Sequence, residues 1–226
     1  MVIYIILSFI ITSIAGLSTM IGSLLIFIDF NNKNRVISFS LFFSSCIMLL
    51  ISILDLIPSS FHYINKIYDI IPSLIIMTVY ALFGGILVYV LDFTKKSNDK
   101  LYKIGIITFI SLILHNIPEG MITFISSSKD IHLGLSLAIS ISLHNIPEGI
   151  AISIPIYYGK NDKKRAILFT LIAALSEPFG ALISLLFFKN VNDYMFSLLL
   201  SLTAGIMIYL SIFELYKESI KYKKDV

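Results

Sequence analysis

Apolar residues run along this chain in seven long blocks, at roughly 2–28, 36–58, 72–92, 102–126, 131–158, 165–188 and 194–215. Short stretches between them hold most of the charge. About 20 consecutive apolar residues carry a helix across the hydrocarbon core of a bilayer, and each block reaches that length. None shows the strict alternation of a barrel strand. The pattern predicts an all-α, polytopic transmembrane helical bundle, one domain over residues 1–226. The connections are short, so neighbouring helices should be antiparallel.

Composition narrows this further. Of 226 residues 57% are apolar, and the mean hydropathy is +0.92. A soluble domain of that size needs more polar surface than this. The first block is long enough to span and has no charged segment before it, so no cleavable leader is expected. Cys46 is the single cysteine, which excludes an internal disulfide and a thiolate metal cage; it reads as a small apolar helix residue.

The placement of basic residues sets the expected orientation. Lys33, Arg35, Lys95, Lys96, Lys100, Lys103, Lys160, Lys163, Lys164, Arg165, Lys217, Lys221, Lys223 and Lys224 fall on one side. Only Lys66, Lys129 and Lys189 fall on the other. A multi-pass protein of the cell membrane follows, with its N-terminus outside and its basic C-terminal tail in the cytoplasm.

Two repeats stand out. The hexapeptide His-Asn-Ile-Pro-Glu-Gly occurs at 115–120 and again at 144–149, 29 residues later, on spans of opposite direction. Residues 44–56 (SSCIMLLISILDL) resemble 203–215 (TAGIMIYLSIFEL) at an offset of 159. Leu17-Ser18 with Gly22 resembles Leu175-Ser176 with Gly180 at an offset of 158. Spans one and two thus match spans six and seven in inverted sense. Inverted repeats are a transporter pattern, with the substrate site near the midplane at their interface.

Ionisable residues inside a membrane are costly and point to function. In the first hexapeptide His115 and Glu119 are four apart and share a helix face, with Asn116 beside Glu119. Pro118 cannot donate to the Leu114 carbonyl, so a bend is expected. His144, Asn145, Pro147 and Glu148 repeat the arrangement. Span six adds Glu177, before Pro178 and Gly180. Two imidazoles, two amides and three carboxylates, with no sulfur, suit Zn²⁺, Fe²⁺ or Mn²⁺ and argue against Cu⁺. Three bare carboxylates in a low dielectric are untenable. One divalent ion would leave a charge of −1 and two would leave +1. The plainer alternative is that each His and Glu merely satisfy one another, which accounts for one copy but not for two copies plus Glu177. Asp55 and Glu214 occupy equivalent repeat positions and are candidates for an entrance or exit, against simple solvation at the interface. His62 and His132 are expected in outward loops and read as solvated.

These motifs resemble the ZIP (Zrt/Irt-like) metal-transporter family, most of all its bacterial ZupT-type branch. Residues 115–120 and 144–149 match the family's fourth and fifth helices and residues 177–180 its sixth. Residues 15–23 and 205–215 resemble its first and seventh. The resemblance covers nearly the whole chain. It implies transport of divalent metal into the cytosol through a two-metal centre. His115, Glu119, His144 and Glu148 would hold the primary ion; Asn116, Asn145 and Glu177, with the shared carboxylates, would hold the second. The metal is cargo, and no cofactor is expected. The loop at 94–103 has no histidine, where the family's is often His-rich. The family has eight helices and seven are read here.

Two other classes remain beside the transporter reading. A membrane-embedded metalloenzyme is one, although the zincin His-Glu-x-x-His pattern is absent; no enzyme activity is expected. A proton-coupled carrier of an organic solute is the other. The expected partners are divalent metal ions and the lipid bilayer, with a homodimer as the protein assembly considered and no nucleic acid. If an ancestral eighth helix is missing, a packing face on spans three and seven should lie open, with Gly84 and Gly85 on it.

Overall fold

A computed structural model describes residues 2–94, 99–187 and 192–224; Lys95, Lys96 and Lys189 lie outside them. All the regular structure among the described residues is helical. Seven helices are long and apolar enough to cross a membrane: α1 (Ile3–Phe27), α2 (Lys33–Asn65), α3 (Ile70–Thr94), α4 (Lys100–Lys129), α5 (Ile131–Lys160), α6 (Lys163–Leu186) and α7 (Asp193–Lys223).

Asx residues start most of them. Asn32, Asp99, Asp162 and Asn192 each accept a hydrogen bond from the backbone N–H three residues on, at 3.0 Å. Such caps satisfy donors that the first helical turn leaves free. Asp130 closes α4 and opens α5, which makes the α4–α5 hairpin very tight. Asn161, at φ 52°, ends α5 in the left-handed conformation that asparagine tolerates.

The inverted repeat is legible in three dimensions. α1 breaks at Ser18 and α6 breaks at Leu175. Each break turns carbonyls inward, and a serine hydroxyl donates to one of them: Ser18 to Ala15 at 2.6 Å and Ser176 to Ala173 at 2.5 Å. Gly22 of α1 packs on the Ile146 backbone of α5, and Gly180 of α6 packs on the Ile117 backbone of α4. Gly149 meets the Thr19 backbone, and Gly120 meets that of Glu177. A side chain at any of these four would collide with main chain, which is why the helices touch there. α1, α4, α5 and α6 form one closely packed unit.

α2, α3 and α7 form a second unit. Ser60 donates to the Ser197 carbonyl at 2.9 Å, and Ser38 donates to the Ser219 carbonyl at 2.8 Å. These ties fasten α2 to α7 near both ends. Both helices contain a π-helical stretch, Ser52–Leu56 and Leu210–Tyr216, at equivalent positions of the repeat. Ser52 and Ser211 each bond back to the carbonyl four residues earlier, those of Met48 and Met207. Such widened turns recur where a helix serves a functional purpose.

α2 runs through Pro58 to Asn65. The π turn lies just before this proline, which sits in the first turn of the helical segment that follows, where a missing N–H costs least. α3 is the span most open to lipid: only 11% of its apolar window is buried. Gly84, however, does not lie on an open face. It is buried against the Leu202 backbone of α7, while Gly205 of α7 packs on Ala81. Gly85 borders a groove of 470 Å³ between α3 and α7.

Candidate metal centre

The two hexapeptides face each other where α4 and α5 cross, and both helices remain helical through Pro118 and Pro147. The four-residue spacing puts each His one turn from its own Glu, yet the shorter approaches run between helices. His115 Nε2 stands 3.0 Å from Glu148 Oε1, and His144 Nε2 stands 3.3 Å from Glu119 Oε2. The same-helix distance from His115 to Glu119 is longer, 3.8 Å. The imidazoles and carboxylates therefore interleave across the hairpin.

The two asparagines are turned by the helix breaks. Asn145 Nδ2 donates to the Ala15 carbonyl of α1 at 2.8 Å, and Asn116 Nδ2 donates to the Ala173 carbonyl of α6 at 3.4 Å. A backbone carbonyl can only accept, so each amide nitrogen must face it. Each Oδ1 is then directed elsewhere and has no hydrogen-bond partner. The second hydrogen of Asn145 Nδ2 reaches Glu177 Oε1 at 2.5 Å, which brings the α6 carboxylate to the group.

Burial is extreme. His115, Asn116, Asn145, Glu148 and Glu177 are fully buried, and Glu119 and His144 nearly so. Three carboxylates are confined there, and among the described residues no Lys or Arg is paired to them. His115 Nε2, both oxygens of Glu148 and Oε2 of Glu177 lack a hydrogen bond, because the 3.0 Å His115–Glu148 approach is not aligned as one. Buried polar atoms are normally paired, and a cluster left open calls for an explanation. A cation that accepts oxygen and imidazole nitrogen would satisfy these atoms together. Among the described residues no three His, Cys, Asp or Glu side chains are already posed around one point.

All seven residues singled out from the sequence, His115, Asn116, Glu119, His144, Asn145, Glu148 and Glu177, meet in this cluster. Asp55 and Glu214 do not. Asp55 is exposed on α2 and accepts from Ser59 at 3.1 Å. Glu214 is 9% exposed and borders a cavity of 180 Å³ with Asp92, Lys100, Lys103 and Glu218. His62 lies in the α2 helix, not in a loop, and His132 in the first turn of α5; both are exposed. Sequence reasoning missed the carbonyls of Ala15 and Ala173 and the serines at the breaks. The paired Leu-Ser motifs before Gly22 and Gly180 were the available signal, since a hydroxyl just after a carbonyl-rich apolar run often bonds back to it.

A family profile described as ZIP Zinc transporter matches residues 94–225. The chain is 36% identical to the zinc transporter ZupT of Streptococcus mutans, over 96% of this chain and 89% of that protein. It is 36% identical to ZupT of Oceanobacillus iheyensis, with the same coverage. It is 32% identical to ZupT of Clostridium perfringens, over 96% of this chain and 88% of that protein.

Proposed function

The chain belongs to the ZIP family of zinc transporters, and on that premise we propose that it carries divalent transition-metal cations across the membrane through the α4–α5–α6 cluster. Zn²⁺ is the cargo its relatives' names supply; Fe²⁺ and Mn²⁺ suit the same nitrogen and oxygen donors. His115, Glu119, His144 and Glu148 hold the primary ion. Asn116, Asn145 and Glu177, sharing the Glu119 and Glu148 carboxylates, hold a second.

The observation that carries the reading is the crossed pairing of His115 with Glu148 and of His144 with Glu119. A network meant only to satisfy hydrogen bonds would leave fewer open acceptors than the Asn oxygens, Glu148 and Glu177 do. Electrostatics point the same way. Carboxylates buried together are tolerable when a dication neutralises them. Asn145 and Asn116 act as orienting groups as well as ligands, since their amide nitrogens are anchored to α1 and α6.

The basic residues favour a cytoplasmic location for the loops that begin α2, α4 and α6 and for the tail. Transport then runs from the side of the Asp130 turn towards the cytosol. Movement of the α1–α4–α5–α6 unit against the α2–α3–α7 unit would expose the centre to the two sides in turn.

Flux of ⁶⁵Zn into proteoliposomes holding the purified chain tests this. Uptake should saturate with metal, compete with unlabelled Zn²⁺, Fe²⁺ and Mn²⁺, and vanish in Glu119→Ala. A membrane metalloenzyme would show no flux. A carrier of an organic solute would retain no metal through purification.

A further inference from the structure

The repeat predicts that every contact in one half has a mate in the other. Within the α1–α4–α5–α6 unit the close glycine contacts and the asparagine–carbonyl bonds have mates. Gly149 with Thr19 matches Gly120 with Glu177, Gly22 with Ile146 matches Gly180 with Ile117, and Asn145 with Ala15 matches Asn116 with Ala173. One contact between the two units departs from the rule. Ser44 of α2 donates to the Pro147 carbonyl of α5 at 2.7 Å, and the bond is buried. The mate of Ser44 is Thr203 of α7, at the offset of 159, and the mate of Pro147 is Pro118 of α4. Thr203 is 1% exposed, and its hydroxyl has no hydrogen-bond partner.

The same asymmetry appears beside the metal centre. The repeat extends four residues upstream of each hexapeptide to Ser111 and Ser140. Ser140, towards the Asp130 turn, is exposed; Ser111, towards the opposite face, is fully buried. Ile104 and Ile107, on the Ser111 flank, are likewise buried, and their mates Leu133 and Ser136 are exposed. The halves are alike at the close helix contacts and unlike at this hydroxyl and along the flanks of the two hexapeptides.

In a protein built from inverted repeats, exchanging the conformations of the two halves generates the state open to the other side. A buried hydroxyl left unpaired in one state is costly, and pairing it in the other lowers the cost of the exchange. We propose that Ser44 and Thr203 are paired latches of the transport cycle: Ser44 on the Pro147 carbonyl holds the state seen here, and Thr203 on the Pro118 carbonyl holds the opposite one. Both residues are positioning residues that touch no cargo. Hydroxyl donors to proline carbonyls suit this task, because the prolines sit in the ligand-bearing turns and each latch reports directly on that turn.

This inference rests on the transport reading, so its test reads conformation and not flux. Ser140→Cys and Ser111→Cys are introduced singly into a full-length Cys46→Ser chain, and the rate of reaction with a membrane-impermeant maleimide is measured in detergent. In the parent background Ser140→Cys should react quickly and Ser111→Cys slowly. Adding Ser44→Ala should slow the first and speed the second, by roughly two- to tenfold, the shift one net hydrogen bond gives a two-state equilibrium. Adding Thr203→Val should move both rates the other way. Ser44→Thr keeps a hydroxyl of the kind the other repeat uses, and should leave the parent pattern in place. The proposal is overturned if Ser44→Ala and Thr203→Val shift the rates in the same direction, if neither shifts them, or if Ser44→Thr behaves like Ser44→Ala. Loss of ⁶⁵Zn flux in the parent chain with the labelling pattern intact would count against the transport reading alone.

Discussion

Gly120 offers a sharp test of how the centre is built, because the close approach of α4 to α6 fixes where Glu177 stands. A Cβ added there would lie 2.7 Å from both the Cα and the carbonyl carbon of Glu177, and nearer still to its oxygen. Ordinary contact begins near 3.4 Å, so the helices would have to part by at least 0.7 Å, the difference between the two. Backbone cannot rotate out of the way as a side chain would. Overpacking of this kind costs about 1–3 kcal/mol, and the gain in helix propensity from Gly to Ala returns only about 1 kcal/mol. The displacement falls on the residue that carries the third carboxylate, and shifts near 1 Å at a reacting group can cost roughly a hundredfold. Gly120→Ala should therefore lower the initial rate of ⁶⁵Zn uptake by at least about tenfold in proteoliposomes, with a lowered melting temperature in detergent. Gly85→Ala is the control, since the nearest atom to its added Cβ is the Gly205 oxygen at 3.6 Å; flux and stability should stay near those of the parent. Parent-like flux and stability in Gly120→Ala would show that the α4–α6 contact does not set the geometry of the centre.

Further outcomes are expected. Glu119→Ala and Glu148→Ala should each abolish uptake, whereas Asp55→Ala, exposed and remote, should only reduce it. Asn145→Ala removes the tie to Ala15 and Glu177 and should weaken Zn²⁺ binding by roughly ten- to a hundredfold, as loss of an orienting group does, measured by isothermal titration. Metal binding needs neutral imidazole and ionised carboxylate, so protons compete for the same atoms; affinity should rise steadily from pH 5 to pH 8, and a flat profile would remove His115 and His144 from the ligand set.

The buried cluster of His, Asn and Glu was legible from the sequence because polar residues in an apolar run have few innocent explanations, and the second hexapeptide removed most of them. Spacing alone suggested that His115 would meet Glu119; the nearer partner is Glu148, since the pairing depends on how α4 and α5 cross. The close α4–α5 approaches that bear on this crossing lie at Gly105, against Ile156, and at Gly159, against Tyr102; these contacts are long-range and leave no local trace. The breaks at Ser18 and Leu175 were equally hidden, as no proline precedes the first and Pro178 follows the second. Span two was read to end at 58; the helix continues through Pro58 to Asn65, with a π turn just before the proline. Of the two glycines expected on an open face of spans three and seven, Gly85 borders a groove there, whereas Gly84 is covered by α7, and only the fold could show that Leu202 lies against it.

The central claim is that the cargo is held by imidazole and carboxylate from both hexapeptides at once. X-ray absorption at the zinc edge, on the purified chain loaded with Zn²⁺, tests it most directly. The account predicts a first shell of nitrogen and oxygen at about 2.0–2.2 Å, with scattering from two imidazoles that falls to one in His115→Ala and likewise in His144→Ala. A sulfur shell at about 2.3 Å, or a shell without imidazole, would contradict it.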